Sequence, residues 1–186
     1  EEPPQDALPW SEARWLQCQQ GGRAQQMNRA ATEATGEFLW FLHADSRFDD
    51  STLAGLKSCL DLSGDELYYF DLVFMNDATS LMKLNQWGVW WRCHLLKCPF
   101  GDQGFLLKKE SFEQLGGYRE DLDYGEDHVF TWKARQEAFR VLPTGAKLLT
   151  SARKYQDRAW LKTSLKHQWL WQKQAWPEFF KLLRRK

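Results

Sequence analysis

Apolar residues in this chain fall into short runs and helical stripes, separated by glycine and polar punctuation, and the alternation predicts an α/β protein. Residues 14–18 read as a short strand that Gly21 and Gly22 break. The Ala-rich stretch 23–35 reads as a helix stopped at Gly36, a residue at ease with positive φ. From Glu37 to Leu42 the chain is almost continuously apolar and ends in the polar group His43-Ala44-Asp45-Ser46. That is the signature of a strand buried on both faces of a parallel sheet. Residues 49–60 form a helix, 68–74 a strand, and 80–96 a helix dense in Trp87, Trp90 and Trp91. A turn at 99–104 leads to a strand at 105–107, a helix over 110–115 closed by Gly116 and Gly117, and a helix over 126–137. The predicted order is βαβαβαβαα without internal repeats, preceded by an irregular lead-in over residues 1–13 that carries three prolines.

Length adds that 186 residues make one folded domain with a real core. We place it at residues 1–158, with 159–186 as a long basic helix interrupted at Pro177. Net charge is formally zero, which argues against a nucleic-acid binder that works by neutralising phosphates. The balance hides an asymmetry: residues 151–186 hold ten Lys or Arg against Asp157 and Glu178, so the tail carries +8 and the rest −8. Its Trp, Leu and Lys mixture suits a helix lying in a membrane interface, and equally a helix packed back on the domain with its lysines in water.

Cys18, Cys59, Cys93 and Cys98 show no metal-ligand or disulfide spacing, so reduced thiols and a cytoplasmic setting are expected. No run is long and apolar enough to span a bilayer, and the acidic start is unlike a signal peptide.

The polar end of the buried strand is the first candidate for chemistry, because ligands of open α/β sheets bind outside the carboxyl ends of the strands. Asp45 there suits a hard divalent cation whose other positions go to phosphates and water; the plainer reading is the N-cap of the next helix. Glu126 and Asp127 follow Gly125 at a helix start, where a carboxylate is favoured and a general base is plausible; the plainer reading is an ordinary acidic first turn.

In order along the chain stand Gly22-Arg23-Ala24-Gln25-Gln26-Met27-Asn28, Phe41-Leu42-His43-Ala44-Asp45-Ser46, Gly101-Asp102-Gln103-Gly104, Leu115-Gly116-Gly117-Tyr118, Glu126-Asp127 and Thr150-Ser151-Ala152-Arg153. Together they resemble the family 2 glycosyltransferases of GT-A type, and more narrowly a bacterial subgroup associated with radical-SAM and arsenosugar biosynthesis gene neighbourhoods. The resemblance covers residues from Trp15 to Thr163. It implies a three-layer α/β/α fold with a mostly parallel central sheet, and an inverting transfer of sugar from a nucleotide-diphosphate donor to a hydroxyl acceptor, lipid-linked or small.

The resemblance also implies roles. Asp45 would hold Mn²⁺ or Mg²⁺ against the donor diphosphate, with His43 as a helper in place of the first Asp of the family's DxD element. Asp127 would deprotonate the acceptor, positioned with Glu126. Asp102 and Gln103 match the acceptor loop, Arg23 and Asn28 the helix approaching the donor nucleotide. Arg153 and Lys154 match a basic segment closing over the diphosphate, where a cation would steady the developing charge; they also simply begin the basic tail.

Family members carry a strand, a helix and a second strand ahead of the segment matching Gly22, where this chain has 21 residues. The expectation is an N-terminally truncated sheet, a fragment of a longer product, with an exposed edge prone to self-association. The competing expectation is a non-catalytic accessory that meets the inner face of a membrane through the Trp/Lys helix and a glycan through Trp87, Trp90 and Trp91.

Overall fold

The computed structural model describes residues 13–18, 21–61, 64–75, 80–151 and 160–184, with side chains omitted at 80–85 and 160–168. Its elements are α1 (Arg23–Glu33), β1 (Phe38–Phe41), β2 (Ser46–Arg47), α2 (Asp50–Leu60), β3 (Glu66–Phe74), α3 (Ser80–Leu96), β4 (Phe105–Lys108), α4 (Lys109–Gln114), α5 (Glu126–Gln136), β5 (Arg140–Thr150) and α6 (Trp160–Arg184). One five-stranded sheet has the order β1-β4-β3-β5-β2.

The sheet is mixed, which corrects the expectation of a mostly parallel one. Only β3 and β5 run parallel, from Glu66 opposite Arg140 to Phe74 opposite Thr150. β4 is antiparallel to both neighbours, pairing Phe41 with Phe105 and Tyr68 with Leu106. After α3 the chain re-enters the sheet beside the middle of β3, where Gln103 Nε2 donates to the Phe70 carbonyl at 3.1 Å, so β4 runs back towards the start of β3.

Helices cover both faces. On one, Leu39, Leu67, Tyr69, Phe105 and Leu107 pack with Ala24 and Ala31 of α1, Cys93 of α3, Phe112 of α4 and Phe130 and Ala134 of α5. On the other, Tyr68 and Leu106 meet Cys59, Leu56 and Leu60 of α2. The alternation of Leu67 and Tyr69 with Tyr68 along β3 is the period-two rule of a strand with two buried faces. Asp49 starts α2 by accepting from the Thr52 amide at 3.0 Å, with Thr52 Oγ1 returning to the Asp49 amide.

Three local readings change. Residues 13–18 have no regular structure and Trp15 is exposed, so the strand expected at 14–18 is absent. β5, unforeseen, is the longest strand and pairs on both sides. Between Tyr69 and Asp71 of β3 the ladder advances two residues while β5 advances four, from Pro143 to Lys147. This bulge takes up Gly145 directly after Pro143, the two residues that hide the strand in the sequence. α2 rests on the bulge so closely that a Cβ on Gly55 would come within 2.3 Å of Ala146 Cβ. Finally, α6 is continuous through Pro177, held against α5 on both sides of the proline.

Candidate functional site

The carboxyl ends of β1, β3 and β5 and the amino end of β4 share one rim of the sheet, because β4 runs opposite to β1 and β3 and β3 runs with β5. Onto this rim the fold brings side chains far apart in sequence. Arg23 opens α1 and ion-pairs through Nε with Glu126 Oε1, which opens α5. Its Nη2 lies 3.4 Å from Asp127 Oδ2, and its Nη1 lies 3.5 Å from His43 Nε2, just past β1. Burial opposes the charge of Arg23, but the bond to Glu126 and the fields of Asp127, Glu126 and Asp102 outweigh it and raise its pKa.

Asp127 is only 7% exposed. Its Oδ2 accepts the Gly101 amide at 2.7 Å and its Oδ1 accepts the His128 amide at 2.7 Å, while the helix N-terminus favours its charge. Glycine at 101 is a steric requirement, since a Cβ there would stand 2.8 Å from Asp127 Oδ2. Each Asp127 oxygen takes one backbone donor and keeps further acceptor capacity.

Asp45 sits in the turn between β1 and β2, two residues past His43, half-buried. The N-cap of α2 is Asp49, so the capping alternative for Asp45 falls away. Its carboxylate has no hydrogen-bond or ion-pair partner among the described residues, and the neighbouring Ser46 Oγ is buried without one. Among the described residues Asp102 Oδ1, also buried, has no hydrogen-bond partner either. Among the described residues no group of three or more His, Cys, Asp or Glu is close enough to hold a metal. A divalent cation at this turn would have Asp45 as a ligand and would need the rest of its shell from a bound molecule and water.

Other predicted site residues have structural employment. Gln103 is fully buried: Oε1 accepts the Phe100 amide at 3.2 Å and Cys93 Sγ at 2.9 Å, and Nε2 bonds Phe70. Both ends of its amide are engaged within the protein, so it shapes the loop carrying Gly101 and Asp102. Asn28 clamps the segment before α5, donating to the Tyr118 carbonyl and Glu120 Oε1 at 2.8 Å each and accepting the Tyr118 amide at 2.9 Å. Arg153 and Lys154 lie outside the described residues.

Beneath the acidic pair lies an aromatic cluster that the sequence reading missed. His128 Nε2 accepts Trp132 Nε1 at 2.7 Å, and the ring sits among Phe100, Trp132 and Trp171. Burial pushes the His128 pKa down to about 4 against the pull of Asp127. The i, i+4 spacing of His128 and Trp132 was visible, but nothing local says that Trp171 of α6 closes the cage. No protein-family model matches the chain, and no curated protein matches it either.

Proposed function

We propose that the protein transfers a glycosyl group from a nucleotide-diphosphate-sugar to a hydroxyl acceptor with inversion, on a GT-A type fold. The observation that carries the reading is the meeting of Arg23, His43, Glu126 and Asp127 from three distant segments on the rim where Asp45 stands with no partner among the described residues. An inverting displacement asks for a base beside the acceptor and charge stabilisation for the departing diphosphate. Asp127, held by two backbone amides, is the base; Glu126 fixes Arg23 beside it. Arg23 keeps donors to spare for a diphosphate, since a guanidinium has five. In one step the acceptor oxygen gives its proton to Asp127 and bonds the anomeric carbon, while the bond to the diphosphate oxygen breaks from the opposite face. Bound Mn²⁺ or Mg²⁺ on Asp45 would supply neutralisation of the leaving group's charge.

The test is calorimetric titration with uridine and guanosine diphosphates, with and without Mn²⁺ or Mg²⁺, followed by turnover of the nucleotide-sugars. Metal-linked binding lost in Asp45→Asn, with binding kept but transfer lost in Asp127→Asn, is the expected pattern. A protein that binds no nucleoside diphosphate under either condition defeats the proposal.

A further inference from the structure

α6 wears its amphipathicity inside out. At 3.6 residues per turn, Trp171, Gln174 and Glu178 fall on one side and Trp169, Trp176, Phe180 and Leu183 on the other. The first side faces the domain. Trp171 packs on His128, Gln174 Nε2 donates to the Tyr124 carbonyl at 2.8 Å, and Glu178 Oε2 accepts Gln136 Nε2 at 2.9 Å. Gln174 and Glu178 are thus spent inward, and the outer side shows Trp169 at 61%, Trp176 at 60%, Phe180 at 53% and Leu183 at 50% exposed, with Lys173 and Arg184 exposed among them. Ordinary surface helices do the reverse.

Exposed apolar residues are not confined to α6. Phe179 stacks edge-on between Trp132 and its neighbours Trp176 and Phe180. The Arg135 guanidinium lies 4.5 Å over the Trp132 ring and donates to the Leu96 carbonyl at the end of α3, where Leu95 and Leu96 are exposed. Exposed apolar side chains therefore stand both on α6 and at the end of α3, with Arg135 and the buried Trp132 of α5 between them. A cluster of exposed aromatic side chains such as that on α6 marks an interaction site.

Charge decides the partner. α6 carries Lys162, Lys166, Lys173, Lys181 and Arg184 against the single acid Glu178, and that acid is buried under Gln136 and Lys181. Lys173 Nζ sits 5.5 Å over the Trp169 ring, beside the apolar stripe. Exposed tryptophans edged by cations are what a bilayer interface with anionic headgroups selects, the rings at headgroup depth and the cations on the lipid phosphates. No helix among the described residues is long and apolar enough to cross a membrane, so the contact is one of lying on the surface. We propose that the outer face of α6 docks the protein on an anionic lipid surface. The inference does not depend on the proposed activity.

Sedimentation with vesicles of phosphatidylcholine alone, and of phosphatidylcholine with a third phosphatidylserine, tests it. The chain is expected to sediment with the anionic vesicles and to stay in solution with the neutral ones, with binding released by high salt. Trp176→Ala with Phe180→Ala, and separately Lys173→Glu with Arg184→Glu, are expected to cut the bound fraction at least tenfold while the melting temperature stays that of the parent. Absence of binding to anionic vesicles, or equal binding by all variants, overturns the proposal. A concentration-dependent dimer that these substitutions dissolve, without vesicle binding, also overturns it and assigns the face to a second copy of the chain.

Discussion

Replacing Asp127 by asparagine changes one atom type, yet the structure says it does more than remove a charge. Both carboxylate oxygens accept backbone amides at 2.7 Å, from Gly101 and from His128. An asparagine has one oxygen, so whichever way its amide turns, an NH₂ group meets a backbone N–H donor. One buried donor is left without a partner, at ~1–3 kcal/mol. Loss of the contact with half-exposed Arg23 adds under ~1 kcal/mol. For a chain of this length each kcal/mol lowers Tm by ~2–4 °C, so Asp127→Asn should melt ~2–16 °C below the parent. Asp45→Asn is the matched control: that carboxylate has no partner among the described residues, and its loss should leave stability within ~0.5 kcal/mol. Differential scanning calorimetry on the two variants reads both. If Asp127→Asn melts with the parent, the double backbone clamp is not formed. If Asp45→Asn falls as far as Asp127→Asn, Asp45 has a structural partner and is no vacant ligand.

Two more outcomes follow from buried polar groups. His128 titrates at about 4 when folded against 6.5 as an ordinary histidine, so the folded state binds fewer protons and its advantage is complete above pH 6.5. As pH falls from 6.5 towards 4, stability should drop by on the order of ~3 kcal/mol, and urea unfolding of His128→Gln across that window should show a shallower decline. Gln103→Leu keeps the volume but strips partners from the Phe100 amide and the Phe70 carbonyl; denaturant unfolding should show a loss of ~1–3 kcal/mol for each group that water cannot reach, and an unchanged midpoint would refute the clamp.

Where local pattern and tertiary pattern agree, the chain could be read. The β1 run, the α2 start at Asp49, the α3 and α4 spans and the acidic opening of α5 all emerge within a residue or two of expectation, because each is bounded by a residue with one strong backbone preference. β5 escaped because its proline, glycine and lysine break both strand periodicities, and only pairing with β3 across a bulge makes the segment a strand. The segment at 14–18 failed in the opposite way: it has the composition of a strand and no neighbour to pair with. Direction was likewise hidden. Whether β4 runs up or down the sheet depends on where the chain re-enters it after α3, beside Phe70, 33 positions from Gln103.

Among the candidate groups, residue type and order marked Asp45, Glu126 and Asp127 from the chain alone, since a carboxylate past a buried strand and a pair at a helix start are local events. The divided labour was not legible. Gln103 and Asn28 carry the same polar groups whether they face a ligand or the protein, and only packing shows that both are occupied internally. The tail is the sharpest case: its composition permitted a helix on the domain or one at an interface as alternatives. Contacts to Tyr124, His128 and Gln136 take up Gln174, Trp171 and Glu178 and leave Trp169, Trp176 and Phe180 outward, because only a folded partner surface decides which half of a helix is covered.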